Sequence, residues 1–327
     1  MADLVPAQGP ILRAVLDATY DIWCEGLTPA AYERYYAAQL ATAWGGRCLQ
    51  RFALVEGSEV LASAKQYAFD ATLDGSPIRV VGLGAVFTQP ERRRRGAARE
   101  LIDHLIDRAA ADGADLALLF SEIGADYYAR LGFEPIPMSL LALRVKASDR
   151  HGAPATLVRS AGDRDLPAIV ALGEARARPF RFRLNRDRDL IHYAIAKKRL
   201  LAGLGPAGAR EVQFFVAEEG SSAVAYVVLS SRRVAGSTEW ILEECGDRDP
   251  SGARVGAILQ TLIARDPAEA RASISAWLPH GFRPPQVTIV DTHPSRDVMM
   301  VRALSERAKA ALPLRAEAVL YWHSDLF

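Results

Sequence analysis

The last three of four consecutive arginines, together with the very small residues that follow them, form the stretch of this sequence best suited to chemistry. The stretch consists of Arg93, Arg94, Arg95, Gly96, Ala97 and Ala98. An amphipathic pattern starts directly after it and predicts a helix, whose first turn presents unpaired backbone N–H groups at the positive end of the helix dipole. Small residues let phosphate oxygens reach those groups, and the arginines add local positive charge. The spacing therefore predicts a diphosphate-binding site at the start of this helix.

The periodicity on either side of the stretch predicts the elements that position it. Residues 78–89 form an apolar strand that runs into the arginines, and residues 115–121 form a fully apolar strand after the helix. Two helices, the second stopping at Gly45 and Gly46, and two further strands come first, and a short helix and the strand SLLALRV come last. The first 145 residues thus predict the order ααβββαβαβ, an α/β fold with a mixed sheet and helices on its faces.

The same order of elements recurs in the second half of the chain. Residues 146–155 are polar, contain glycine and proline and predict a linker. We therefore expect a duplicated fold, with one domain over residues 1–147 and a second over residues 156–327. In the second half, Asp247 and Asp249 stand before the helix that corresponds to the arginine-bearing one. Because carboxylates there would repel a diphosphate, the sequence predicts one such site per chain.

Two motifs resemble those of the GCN5-related N-acetyltransferase (GNAT) superfamily. Arg93, Gly96 and Ala98 match the signature R/Q-x-x-G-x-G/A, and YARLGF at residues 128–133 matches the element Y-x-x-x-G-F. Their separation is what one intervening strand requires. The resemblance implies a GNAT fold in the first domain and a degenerate, GNAT-like second domain.

The resemblance also implies a cofactor and roles for particular residues. Two neighbouring parallel strands of the fold splay apart and hold acetyl-CoA as co-substrate between them. Backbone groups of the first strand then meet the pantetheine arm and the thioester carbonyl; here these belong to Val86, Phe87 and Thr88. A backbone N–H at this place stabilises the oxyanion of the reaction. By the same resemblance, Tyr128 is the general acid that protonates the departing thiolate.

An acceptor amine must lose a proton before it can attack the thioester. Its pKa is about 10.4, so only a small fraction is neutral at pH 7 unless a base removes the proton. Glu122, at the carboxyl end of the second splayed strand, is the best-placed carboxylate. Asp21 and Glu25, both expected on the first helix, are weaker candidates.

The longer stretch FSEIGADYYARLGF, residues 120–133, narrows the resemblance. It is similar to stretches of Eis-type aminoglycoside and lysine acetyltransferases and of fungal lysine N6-acetyltransferases, which carry an active domain followed by a degenerate one. Eis-type enzymes place their terminal carboxylate in the active site. The resemblance therefore implies that the carboxylate of Phe327, or that of Asp325, is a further candidate base.

Composition and charge exclude several classes of protein. Among the 327 residues, 40 are Lys or Arg and 39 are Asp or Glu, so the formal charge of +1 provides no long-range attraction for nucleic acid or anionic lipid. The cysteines Cys24, Cys48 and Cys245 lack metal or disulfide spacing, and the histidines are scattered, so no metal is expected. This cysteine usage favours the cytoplasm. No apolar run is long enough to cross a membrane.

Together these observations predict an acetyl-CoA-dependent N-acetyltransferase. The expected acceptor is a primary amine of a small molecule, lysine-like or aminoglycoside-like, held by carboxylates and attacking directly in a ternary complex. A protein-lysine acetyltransferase and a non-catalytic acyl-CoA-binding sensor are the alternatives. The arginine stretch by itself also fits a nucleic-acid-binding patch, but the strand before it and the YARLGF element favour the coenzyme.

Overall fold

The structure, a computed structural model, describes residues 2–146, 157–234, 237–263 and 273–327. The chain splits into two compact units. The first unit consists of Met1–Pro137, Arg296–Arg315 and Phe327, and the second consists of Met138–Ser295 and Ala316–Leu326. The predicted linker lies, apart from Lys146, outside the described residues.

Both halves of the chain contain strands and helices. The strands are β1 (Asp3–Pro6), β2 (Leu49–Glu56), β3 (Glu59–Leu73), β4 (Ser76–Thr88), β5 (Leu116–Ser121), β6 (Glu134–Ile136), β7 (Ser139–Val145), β8 (Leu157–Ser160), β9 (Phe182–Leu184), β10 (Arg210–Glu219), β11 (Ser222–Val234), β12 (Ser237–Asp247), β13 (Ile274–Ala276), β14 (Val287–Pro294), β15 (Val298–Ala303) and β16 (Val319–Leu320). The α-helices are α1 (Gly9–Trp23), α2 (Pro29–Leu40), α3 (Ala43–Cys48), α4 (Ala97–Ala111), α5 (Asp126–Ala129), α6 (Leu166–Ala177), α7 (Arg188–Leu204), α8 (Ala253–Ile263) and α9 (Glu306–Ala311).

The sheet of the first unit has the strand order β1-β2-β3-β4-β5-β15-β6. Strands β4 and β5 pair in parallel, from Val80 opposite Leu116 to Leu83 opposite Leu119. Beyond this point β4 continues beside β3, and β5 continues beside β15. The predicted mixed sheet with two splayed parallel strands is therefore confirmed.

A bulge in β4 lies just beyond the last pair with β5. Ser63 and Lys65 of β3 lie opposite Phe87 and Gly84, so β4 has one residue more than β3 in this interval. Ala85 within it has a φ of +47°, a left-handed conformation that alanine adopts at a cost. Such a bulge reverses which side chains face each side of the sheet, and it lies where the strands separate.

The strand SLLALRV forms as β7, but not in the sheet to which the sequence assigned it. It pairs with β13 and β14 in the second sheet, whereas β15, from the second half, lies between β5 and β6 in the first. The compact units therefore do not follow the predicted ranges 1–147 and 156–327. An apolar strand gains the same burial in either sheet, so periodicity could not indicate its partner.

The sequence analysis expected the glycine pair after α2 to end a helix. The structure shows that it does not. Helix α3 runs through both glycines, and the Thr42 side chain accepts the Gly45 N–H at 3.0 Å at its start. A Cβ on Gly45 would lie 2.0 Å from the Gln39 carbonyl oxygen. Glycine is needed here for a close approach of α2 and α3, not as a stop signal.

The second unit repeats the plan of the first with other residues. Its sheet has the order β14-β7-β13-β12-β11-β10-β8, and β12 and β13 are its parallel pair. Helices α6 and α8 pack on β11 and β12. The predicted duplication of a mixed α/β fold is confirmed.

Among the described residues, no helix combines the length and apolar character needed to cross a membrane.

Candidate active site

The start of α4 is open to a ligand. Gly96 is its N-cap residue, with a φ of +92° and no side chain to cap the helix, and its carbonyl oxygen accepts the N–H of Glu100 at 3.0 Å. Ala97 follows in the helix, and a left-handed residue before a right-handed one turns successive N–H groups into one concavity. A Cβ built on Gly96 meets nothing within 4 Å. These features fit a diphosphate on the N–H groups of Gly96, Ala97 and Ala98.

The predicted arginines flank this concavity from an exposed turn. Arg93, Arg94 and Arg95 are all exposed, and Arg94 has a φ of +62°. The Arg93 Nε donates to the Thr88 carbonyl oxygen at 3.4 Å. Left-handed backbone at a non-glycine residue costs about 1–2 kcal/mol and tends to persist at functional sites. The arginine before them, Arg92, is held by Glu59 in a two-contact ion pair and is not part of the concavity.

The last residues of β4 run along the gap between the splayed strands. Val86 packs against the buried cluster beneath α4, whereas Phe87 is buried on the other face, 6.5 Å between centroids from the Trp23 ring. Thr88 ends the strand half-buried. Among the described residues, no strand pairs with this side of β4 beyond Leu83, so its backbone groups here can bind an extended ligand as a neighbouring strand would.

Tyr128 is fixed by the way its short helix ends. The Phe133 N–H donates to the Tyr128 carbonyl oxygen at 3.1 Å, and the Gly132 N–H donates to the Ala129 carbonyl oxygen at 3.0 Å. Gly132 has a φ of +80°. This is the Schellman motif, which needs glycine at that position and an apolar residue after it. The spacing Y-x-x-x-G-F therefore has a structural reason: it closes α5 directly behind the tyrosine.

The Tyr128 hydroxyl keeps its proton and can donate a hydrogen bond. The side chain is buried. This burial and, to a smaller extent, the neighbouring Tyr127 raise the pKa of Tyr128 to about 12. The phenol is therefore protonated throughout the physiological range.

Phe327 lies on the face of the sheet opposite α4. Its ring centroid is 4.6 Å from that of Tyr67, 5.5 Å from Phe69 and 5.6 Å from Phe120. The backbone beneath it is glycine: a Cβ on Gly82 would lie 2.8 Å from the Phe327 ring, and one on Gly84 would lie 3.2 Å from its backbone oxygen.

These two glycines are site residues that the sequence analysis missed. Gly82 and Gly84 alternate within the strand segment VVGLGAVF, and alternating glycines inside a strand indicate that another group approaches the backbone closely on one face. This glycine pattern is present in the sequence and could have predicted a close contact at the place where Phe327 packs.

The other candidate bases are placed less distinctly. Glu122 is exposed in the turn after β5, where the buried Ser121 hydroxyl donates to the Gly124 carbonyl oxygen. Asp21 is exposed on α1, as expected, whereas Glu25 is exposed beyond the end of that helix at Trp23. Asp325 belongs to the second unit and pairs there with Arg186 at 2.9 Å. Of the predicted bases, Phe327 is thus the one whose backbone lies against β4 where the strands part.

In the second unit, a carboxylate occupies the corresponding helix start. Asp247 accepts the N–H groups of Arg254 at 2.8 Å and Val255 at 3.2 Å at the first turn of α8, and that of Asp249 at 2.9 Å. Its side chain is fully buried. The carboxylate does more than repel a diphosphate: it takes the hydrogen bonds that a diphosphate would use.

The residues around the first of these helix starts match a known family. Residues 22–136 fit the profile of the family described as acetyltransferase (GNAT) domain. The chain carries a GNAT domain. The match confirms the predicted superfamily and enzyme class, the acetyl-CoA-dependent N-acyltransferases. No curated protein matches the sequence significantly.

Solved structures similar to this chain share its fold over most of its length. A GCN5-related N-acetyltransferase from Anabaena variabilis has a TM-score of 0.69 at 12% identity, over 93% of this chain and 73% of that one. Eis1 from Mycobacterium abscessus has a TM-score of 0.55 at 16% identity, over 95% and 76%. N-myristoyltransferase from Saccharomyces cerevisiae, with bound myristoyl-CoA, has a TM-score of 0.54 at 11% identity, over 92% and 82%. At these low identities, the similarity to the three structures establishes a shared fold.

Proposed function

We propose that this chain transfers an acetyl group from acetyl-CoA to a primary amine of a small molecule, lysine-like or aminoglycoside-like, in a ternary complex. The observation that carries the proposal is the combination, in one unit, of a parallel strand pair that separates beyond Leu83 and Leu119 and an uncapped helix start at Gly96. The same two features accommodate the two ends of the coenzyme. The GNAT domain match supports the chemistry.

Each part of acetyl-CoA has residues suited to it. The diphosphate binds the N–H groups at the start of α4, with Arg93 to Arg95 around it. The pantetheine arm lies beside the free edge of β4, along Val86, Phe87 and Thr88. The bound co-substrate supplies the activated acyl group, and the chain supplies its orientation.

The reaction forms a bond from the acceptor nitrogen to the thioester carbon and breaks the bond from that carbon to sulfur. A carboxylate, that of Phe327 or of Glu122, takes the proton from the attacking amine. Tyr128 donates a hydrogen bond to the departing sulfur. With a phenol pKa of about 12 against about 8.5 for a thiol, complete proton transfer to the thiolate is uphill by ~5 kcal/mol. The hydrogen bond itself therefore supplies the stabilisation in the transition state.

A thiol-release assay tests the proposal. Purified chain and acetyl-CoA are mixed with small amines, aminoglycosides and lysine-containing peptides in turn, and release of free CoA with a small amine is the expected result. Turnover with peptides alone would instead assign the chain to the protein-lysine acetyltransferases. Saturable acetyl-CoA binding without turnover on any acceptor would indicate an acyl-CoA sensor.

A further inference from the structure

A cavity of about 450 Å³ opens between two helices and a strand of the second unit. The segment at the start of α6, one face of α7 and one residue of β10 line it, so all of its lining residues belong to that unit. Pockets that hold small molecules in proteins have volumes of this order. The proposed transfer reaction makes no use of this cavity.

The floor of the cavity is apolar and is part of the core of the second unit. Leu166 of α6, Ile195 of α7 and Phe214 of β10 are buried members of one hydrophobic cluster. Leu200 and Leu204 continue the lining along α7, and both are only half-buried. An apolar group in the cavity would complete the burial of these leucines, which the hydrophobic effect favours.

Two opposite charges line this cavity close to Phe214. The Arg199 Cζ lies 5.7 Å from the centroid of the Phe214 ring. Asp163 follows two residues after Ala161, whose N–H donates to the Phe214 carbonyl oxygen at 2.8 Å. Both charged side chains are exposed, and within the described part of the chain neither has an ion-pair or hydrogen-bond partner. The cavity therefore offers one cation and one anion to a ligand that lies on Phe214.

The Asp163 carboxylate is not needed by the turn to which it belongs. In that turn, Asp163–Asp165, the local bonds are made by Asp165, which accepts the Gly162 N–H at 2.9 Å and pairs with Arg159 at 2.7 Å. A carboxylate before a helix usually serves as its cap. Because Asp165 already binds the backbone here, the Asp163 side chain is available to a ligand.

We infer that this cavity binds a free α-amino acid with a large apolar side chain, such as phenylalanine. Arg199 donates to the α-carboxylate, Asp163 accepts the α-ammonium group, and the side chain packs on Phe214. A ligand with a carboxylate alone would face Asp163, and one with an amine alone would face Arg199, so like charges would repel each other in both cases. The half-buried His192 lies two turns before Arg199 on the same face of α7 and can bond either end of the ligand. The inference goes beyond the proposed function and does not depend on it.

Three probes that share one benzene ring test the inference. Phenylalanine carries both charges, 3-phenylpropanoate lacks the ammonium group and 2-phenylethylamine lacks the carboxylate. In calorimetry with the full chain, phenylalanine should bind about fivefold more tightly than either of the others, which is what an ion pair near solvent can contribute. Alanine, which keeps both charges but has no ring to pack on Phe214, should show no measurable binding.

Each of two variants should remove one difference among the probes. Arg199→Gln should bind phenylalanine no more tightly than 2-phenylethylamine, and Asp163→Asn should bind it no more tightly than 3-phenylpropanoate. Arg188→Gln is the control, because Arg188 is an exposed arginine at the first position of α7 outside the cavity lining, and this variant should keep both differences. All three replaced side chains are exposed, so the thermal midpoints should stay close to that of the parent.

The outcomes distinguish this inference from the proposed function. Equal affinity for the three probes, or a preference for phenylalanine that survives both Arg199→Gln and Asp163→Asn, would overturn the inference. Both variants should keep the rate at which the parent releases thiol in the absence of phenylalanine, since neither residue belongs to the first unit. A parent without thiol release would remove the proposed function and leave the binding test unaffected.

Discussion

The rings of Tyr128 and Phe133 meet edge to face, with their centroids 6.0 Å apart. This contact joins the two ends of the Schellman motif that closes α5, so the same residues end the helix and hold the phenol. The tyrosine can therefore be replaced by phenylalanine without loss of the packing that its ring provides.

Replacing Tyr128 with phenylalanine should lower turnover far more than coenzyme affinity. The variant keeps the ring contact with Phe133 but has no hydroxyl to donate to the departing sulfur, so we expect kcat to fall by about 10²-fold or more. The Kd for acetyl-CoA should change little. Tyr127→Phe is the matched control, since that ring lies 5.0 Å from Tyr128 and is half-buried. Parallel losses of kcat and affinity in Tyr128→Phe would show a structural role instead.

Replacing Gly96 with leucine should abolish acetyl-CoA binding. Gly113, at the other end of α4, has a φ of +84° against +92° for Gly96, so leucine at either position carries the same conformational cost of about 1–2 kcal/mol. Only at Gly96 does the new side chain enter the proposed diphosphate-binding site. Gly113→Leu should thus bind acetyl-CoA as the parent does in calorimetry. Unchanged affinity in Gly96→Leu would mean that the diphosphate binds elsewhere.

The sequence was sufficient where local periodicity decides the structure. The strand before the arginines and the amphipathic helix after them follow from the spacing of apolar residues, and both formed as predicted. The exchange of β7 and β15 did not follow, since both are short apolar strands that either sheet could bury. Choosing between such partners depends on contacts between distant parts of the chain.

In the candidate site too, the sequence predicted some features and the structure was needed for others. The sequence predicted that Asp247 would repel a diphosphate. Only the structure shows that its carboxylate also accepts hydrogen bonds from the Arg254 and Val255 N–H groups. Likewise, the sequence offered several candidate bases, and only the structure places the Phe327 backbone against Gly84.

Removing the Asp247 carboxylate should destabilise the second unit without creating a second coenzyme site. Asp247→Ala leaves several N–H groups of a buried helix start without their acceptor, so we expect a loss of about 2–3 kcal/mol in the free energy of unfolding. Asp249→Ala removes the acceptor of the Ser251 N–H, bonded at 2.9 Å, and of the Ser251 hydroxyl; because Asp249 is only half-buried, we expect a cost of about 1 kcal/mol or less. Calorimetry should find one acetyl-CoA per chain in the parent and in both variants. Two per chain in the parent would contradict the assignment.

Lys197 should make stability rise with pH between about 7 and 10. Burial, and then the Lys198 cation, lower its pKa to about 7, although Glu243 and Asp325 act in the opposite direction. The unfolded chain, with a lysine pKa of about 10.4, binds more protons than the folded chain in this window, so stability is gained as pH rises and lost as it falls to 7. The thermal midpoint should therefore increase from pH 7 to 9.

The variant Lys197→Met should be more stable at pH 7 and should lack most of this rise. Lys198→Met is the control, because Lys198 pairs with Glu243 at 3.2 Å and its loss should lower stability without removing the pH dependence. Asp325, whose pKa burial raises to about 6, acts in the other direction and below this window, between about pH 4 and 6. An unaltered rise in Lys197→Met would mean that another group titrates.

The base in the reaction can be assigned by moving the Phe327 carboxylate without removing the Phe327 ring. Adding one glycine after Phe327 keeps the ring among Tyr67, Phe69 and Phe120 but displaces the carboxylate from its place against Gly84. If this carboxylate is the base, kcat should fall by about 10²-fold and the fall should be smaller at high pH, where the amine loses its proton unaided. Phe327→Leu, which keeps the carboxylate, should retain most activity. A normal rate in the extended chain, together with a large loss in Glu122→Gln, would assign the role to Glu122.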